Sequence, residues 1–322
     1  MAPKIDKNII STPYHPNPQD NNVVSRCPQQ PDSFTPESLK LNMNNFLARL
    51  NIHTDTLMGR MTKFLQSCPL HYALSANPGH IYHRYLCEFW YTASVGDDDV
   101  ISFTLKEGTQ RCVLSLEVFR NALHLNYLPA SQAFSKRLKN VNFREVLVYA
   151  NHSGIYDEDN NLKTSGTIFM SGLTNSWRYF WTNIVECLGG NSGGLDQITL
   201  PHLEMGYYLW KGRNVDFAEI LFSMLISKLK GKRKPHISFP RFLSICFQSI
   251  LRDAYEDEAL EHFSIDHCKD FSHFYSEEGE VEVSPEMLQV INKTGAAIPA
   301  EPERTQSGPQ KKWDPSELLV VY

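Results

Sequence analysis

Five cations in seven residues, Lys228, Lys230, Lys232, Arg233 and Lys234 of the run KLKGKRK, form the densest chemistry-bearing cluster of the chain. Such a run can neutralise nucleic-acid phosphates. It can also sit at a helix C-terminus, where exposed carbonyls favour cations without any partner. A cap needs fewer charges than this run supplies, so beside the solvated helix end stands a second reading: these residues are the candidate contact for RNA or DNA, or for an import receptor. The run GGNSGG, Gly189 to Gly194, is the second candidate, because consecutive glycines let backbone N–H groups converge on an anion. It lacks the rest of a phosphate loop. Leu195 and Asp196 stand where Lys and then Ser or Thr are needed, and no strand pattern precedes it. It reads as a connection between helices that can also serve as a contact surface.

The remaining groupings are weaker. Asp157, Asp159 and Asn161 repeat the first ligands of a calcium loop, but Leu162 occupies the position that requires Gly and Ile168 the one that requires Glu. Asp97, Asp98 and Asp99 are adjacent, so their carboxylates point apart, and a solvated turn accounts for them. His80, His83 and Cys87 fall at helical spacing. His262, His267, Cys268 and His273 crowd a short stretch beside the acidic run Glu256 to Glu261. Neither grouping has the paired short spacings of a structural zinc site. There is no G-x-S-x-G elbow, no H-E-x-x-H pair and no Cys/His nucleophile signature. No catalytic, cofactor or metal residue is therefore expected, and no small-molecule ligand. An enzyme would need a concave site built from residues distant in sequence, such as Asp196, His202 and Arg213.

The elements that must position these groups are mostly helices. Leu39, Met43, Phe46, Leu47 and Leu50 recur at helical spacing after the start signal Thr35-Pro36-Glu37, and Leu57, Met61, Phe64 and Leu65 do so before Pro69. A third helix carries Ile81, Tyr85, Leu86, Phe89 and Trp90, ending by Gly96. Ile101, Phe103 and Leu105, a turn at Glu107-Gly108, then Cys112, Leu114 and Leu116 alternate as a hairpin. Ser115 is placed to cap the next helix, closed by Pro129. Trp177, Phe180, Trp181, Ile184, Val185 and Leu188 make the strongest stripe, ended by Gly189-Gly190. Further helices are predicted around Leu203 to Trp210, over Val215 to Leu229 and over Phe239 to Leu251.

The fold class expected is mainly α: a multi-helix globular domain with one small β-hairpin and disordered termini. Segment 1–36 is studded with Pro13, Pro16, Pro18, Pro28, Pro31 and Pro36 and has too little apolar surface to offset its ordering entropy. Segment 37–255 forms the helical core, with the hairpin at about 100–116. An acidic extension over 256–291 and a disordered tail over 292–322 follow. With 322 residues, 42% hydrophobic and 21% charged, the chain can bury a sizeable core, and its net charge of −5 restricts any nucleic-acid contact to a local patch. Seven cysteines without a regular spacing fit reduced thiols. With no apolar leader and no membrane-length run, the expectation is an intracellular protein, cytoplasmic or nuclear.

Several blocks, in order, carry a resemblance: HYALSANPGHIY from His71, EFWYTA from Glu88, FRNALHLNYLP from Phe119, ECLGGNSGGLDQIT from Glu186, VDFAEILF from Val215 and FPRFLS from Phe239. As a set they resemble an uncharacterised family of plant retroelement-associated proteins of daisy-family genomes. Members occur beside or fused to copia-type polyproteins and are akin to the plant transposon protein domain. The resemblance implies a non-enzymatic accessory or capsid-region product acting through binding or self-association, with no catalytic residues to carry over. Relatives continue into long polar tails, so the end at Tyr322 implies a truncated or separated reading frame. The rival expectations are a host-domesticated protein-interaction module and an enzyme whose site is not visible in the sequence.

Overall fold

The computed structural model describes residues 39–41, 44–50, 59–159, 161–163, 165–191, 193–231, 236–271 and 283–293. The segment 1–36 and all but the first residues of the 292–322 tail lie outside the described residues. In chain order the elements are β1 (Lys40–Leu41), α1 (Gly59–Ser67), α2 (His71–Ser75), β2 (Ile81–Tyr82), α3 (His83–Thr92), β3 (Ser94–Val95), β4 (Ile101–Leu105), β5 (Gln110–Leu114), α4 (Leu116–Ala122), α5 (Glu145–Tyr149), α6 (Asn175–Thr182), α7 (Leu200–Trp210), α8 (Phe217–Lys230), β6 (His236–Ile237), α9 (Pro240–Leu251), β7 (His262–Phe263) and α10 (Pro285–Lys293). The described residues are thus mainly helical, and no helix among them is long and apolar enough to cross a membrane.

The helices begin where local chemistry lets them. Ser115 Oγ accepts from Val118 N at 3.3 Å at the start of α4, and Asp216 Oδ1 accepts from Glu219 N at 3.2 Å at the start of α8. Each side chain satisfies a first-turn donor that the helix leaves unpaired. Ser284 Oγ does the same for Met287 N before α10 while donating to Trp210 O, which ties α10 to the end of α7.

At the centre lies α6, whose Trp177, Tyr179, Phe180 and Trp181 are all buried. It runs on as a wider π turn over Asn183–Cys187, which keeps Ile184 and Val185 buried. Gly206 of α7 faces it so closely that a Cβ there would lie 2.1 Å from Trp181 Cη2. Helix propensity alone would make Gly206→Ala stabilising by about 0.5–1 kcal/mol. Overpacking against a fixed indole costs about 1–3 kcal/mol and should win. A lowered urea midpoint for Gly206→Ala, partly recovered when Trp181→Phe makes room, is the expected result; a midpoint at or above that of the unaltered chain contradicts the packing.

The described residues of 39–50 do not form the helix the spacing predicts. β1 instead pairs in parallel with β6, Lys40 opposite His236 and Leu41 opposite Ile237, and Leu47 bridges His267. The cause is a pair of asparagines between the apolar positions. Asn44 spans Ile237 O and Phe239 N, while Asn45, at φ 57°, spans Cys187 O and Phe242 N. Buried amides that satisfy distant backbone, one of them left-handed, override a helical period.

The predicted hairpin is β4 with β5, in register from Ile101 opposite Leu114 to Leu105 opposite Gln110, its Ile101, Phe103, Leu105, Cys112 and Leu114 facing inward. A single hairpin understates the sheet content. β3 adds a third strand through Ser94 opposite Ser102, and two-residue ladders join β1 to β6 and β2 to β7. Strands that short carry no alternation a sequence could display. The described parts of segment 256–291, set off in sequence by its acidic charge, contribute to the same interior: β7 pairs with β2, and Phe263, Ile265, Cys268, Phe271 and Met287 are buried.

Candidate functional site

The basic run begins on the last turn of α8. That helix buries Ile220, Leu221, Leu225, Ile226 and Leu229, so Lys228 and Lys230 fall on its outer side near the C-terminal carbonyls. Lys228 is half-buried, and its Nζ donates to Asn191 Oδ1 of the GGNSGG loop. Lys230 is exposed and forms an ion pair with Asp99 at 2.6 Å. Lys232, Arg233 and Lys234 lie outside the described residues. The fold therefore brings the two sequence candidates together and sets the acidic turn 97–99 beside them. Within that turn Asp98 Oδ1 accepts from Val100 N at 3.2 Å, a local turn bond and not ligand geometry.

The glycines of the loop are used for packing at its start. A Cβ on Gly189 would lie 2.3 Å from Val185 O and 3.1 Å from His202 Nε2, and one on Gly190 would lie 2.4 Å from the Phe239 ring. Phe239 itself is left-handed at φ 58° and leads into Pro240. Gly193 has open space around its Cβ position, so the outer half of the loop faces away from the core. His202, on the first turns of α7, closes the loop from beneath. It is 1% exposed, its Nδ1 lies 2.8 Å from Thr199 Oγ1, and its Nε2 has no hydrogen-bond partner. Burial, reinforced by the Lys228 charge, pulls its pKa down to about 4, so the ring is neutral under ordinary conditions.

Of the residues an enzyme would have to gather, His202 and Arg213 are held apart by the length of α7. Arg213 lies beyond the far end of α7, separated from His202 by about 1.5 Å per residue of helix. Asp196 uses its carbonyl to accept from Met170 N in the loop before that helix. The calcium-like Asp157 accepts from Asp159 N and Asn161 N, closing its own turn.

The two His/Cys groupings meet at one point. Pairing of β2 with β7 puts Tyr82 opposite His262 and brings the His80 and His262 rings to 4.1 Å between centroids. His80 Nδ1 and Tyr82 Oη both reach Glu256 Oε2 at 2.9 Å. His83 Nε2 instead lies 3.3 Å from Cys87 Sγ on the same helix, Cys268 is buried elsewhere, and His273 lies outside the described residues. Among the described residues no three His, Cys, Asp or Glu side chains are arranged to hold a metal ion. The group that sequence reasoning missed is Arg241, wholly buried, whose guanidinium donates to four backbone carbonyls. In FPRFLS it looks like an ordinary surface cation at a helix start, and nothing local distinguishes it.

Compared with family models, with curated proteins and with solved structures, the chain matches none.

Proposed function

We propose that the chain is a non-catalytic binding protein of the retroelement-associated kind its sequence blocks resemble, and that it contacts nucleic-acid phosphates through Lys228 to Lys234 beside the GGNSGG loop. The observation that carries this reading is the Lys228–Asn191 hydrogen bond, which joins the cation run to the outward half of a glycine loop. Cations at a helix end and accessible backbone N–H groups are the two phosphate-binding devices that need no other machinery. The Lys230–Asp99 pair does not compete strongly. Both side chains are about half exposed, and exposed pairs of this kind contribute about 0–1 kcal/mol. A phosphate can displace Asp99 at small cost.

The test compares the chain with a variant carrying Lys232→Gln, Arg233→Gln and Lys234→Gln, measuring retention of single-stranded RNA on a filter across a salt series. The variant should bind on the order of tenfold more weakly at low salt, and its log-affinity against log-salt slope should be shallower by roughly 0.7 for each phosphate the run no longer neutralises. Equal retention and equal slope would show that the run is only a solvated helix end.

A further inference from the structure

Between α4 and α5 the chain lies against α7 and the start of α8 as a strap, residues 129–140, in which every residue but Phe134 and Leu138 is exposed. A few well-placed contacts seat it. Phe134 packs on the Tyr127 ring at 5.4 Å between centroids, with the Arg120 guanidinium 5.9 Å from its own ring. Ser135 N donates to Asn214 O at 2.7 Å, and Ser135 forms a parallel bridge with Val215. Arg137 Nε donates to Glu204 Oε1 at 2.9 Å and Nη2 to Glu204 Oε2 at 2.7 Å, and Leu138 N donates to Tyr208 Oη at 2.8 Å. Backbone pairing to a surface strand position, with side chains set into receptors on either side, is how a folded surface takes up an extended peptide.

Glu204 is the receptor with the strongest demand. It stands in the middle of α7 with a side chain only 7% exposed, Tyr208 Oη donates to its Oε1 at 3.2 Å, and Glu219 lies 3.8 Å from Arg137 Nη1. Asp216, also buried, is held differently. It meets Arg120 of α4 and accepts from Glu219 N at the start of α8, so two helices of the core fix it. Glu204 takes its fork from an exposed strap instead. A buried carboxylate without a counter-charge is costly, so with the strap lifted Glu204 calls for another cation. The planar fork of arginine meets both carboxylate oxygens, which an ammonium cannot do. Exposed segments with few apolar contacts are also the ones that lift most readily.

We propose that Glu204, Tyr208 and the Asn214–Val215 backbone form a binding site for an arginine-bearing extended peptide of a partner protein, which the chain's own strap occupies until the partner displaces it. The strap shows what fits: an aromatic residue three positions before the arginine and a backbone N–H directly after it. Self-occupancy weakens the affinity that a partner experiences in proportion to the fraction of chains whose site is open.

The experiment uses the full chain and a fluorescent synthetic peptide matching residues 131–141, with binding followed by anisotropy. Arg137→Gln removes the fork from the strap, and this variant should bind the peptide on the order of tenfold more tightly than the unaltered chain. Glutamine in place of the peptide's arginine, or Glu204→Gln added to Arg137→Gln, should each weaken that binding by about tenfold. Free arginine at the peptide's concentration should leave the complex intact. Displacement by free arginine as effective as by unlabelled peptide overturns the proposal, as does equal binding of the arginine and glutamine peptides or equal binding by the two chains. Should Arg137→Gln fail to fold, hydrogen exchange in the unaltered chain decides: excess peptide should speed exchange of the strap amides, Ser135 and Leu138 among them, and unchanged exchange overturns the proposal.

Discussion

Replacing Arg241 by methionine should cost the chain on the order of 4 kcal/mol or more, enough to unfold most domains of ordinary stability. The side chain would keep most of its apolar stem, so poorer packing is not the main effect. What disappears is the donor set for the carbonyls of Asn45, Ala73, Ala76 and Cys187, which come from the segment after β1, the end of α2 and the end of the α6 helix. A buried carbonyl left without a donor costs about 1–3 kcal/mol, and all four of these bonds lie in the interior. Lysine should be nearly as poor a substitute, because one ammonium cannot present the planar fork that spans several elements. Urea unfolding followed by circular dichroism checks this. A midpoint within error of the unaltered chain for Arg241→Met would mean that the four carbonyls do not depend on the guanidinium.

The second large effect is on acid stability. His202 has a folded pKa of about 4, below its ordinary value of 6.5, because burial and the nearby Lys228 charge both disfavour the imidazolium. Between those values the unfolded chain binds a proton that the folded chain refuses, so folding loses free energy as pH falls through that window. Above pH 6.5 the ring is neutral in both states and contributes no pH dependence. The loss should begin near pH 6.5 and level off near pH 4, amounting to about 3 kcal/mol. His202→Gln removes the titration, so the difference in stability between the variant and the unaltered chain should change over that window and stay flat above it. Subtracting the two curves also removes the contributions of His83, His262 and His267, each depressed chiefly by burial. Parallel curves from pH 7 to pH 4 would show that the ring is charged within the fold or titrates normally.

The readable parts of this chain were those whose cause is local. The β4–β5 alternation was visible because one face of that hairpin is buried, and Ser115 was visible because a cap acts within one turn. The stripe from Trp177 to Leu188 was visible because α6 is buried along its length, although the change to a π turn at Asn183 left no trace in spacing. Residues 39–50 misled because Asn44 and Asn45 exchange helix bonds for bonds to residues 187, 237, 239 and 242. At the candidate site, Lys228 and the glycine loop were each readable as types, but their meeting depends on how α8 lies beside the end of α6. The partnership of His80 with Glu256 and His262 arose from a ladder too short to have a period.

Composition and periodicity by themselves determined a mainly helical chain with the 101–114 hairpin, the α8 helix and a cation run at its end, because apolar spacing and capping are written within a few residues of each other. Only the tertiary structure decided that Arg241 would be an interior hub, that Asn44 and Asn45 would bind backbone far along the chain, and that β7 would pair with β2. These follow from the requirement that every buried polar group find a partner, and the partners come from parts of the chain whose mutual distance no local pattern encodes.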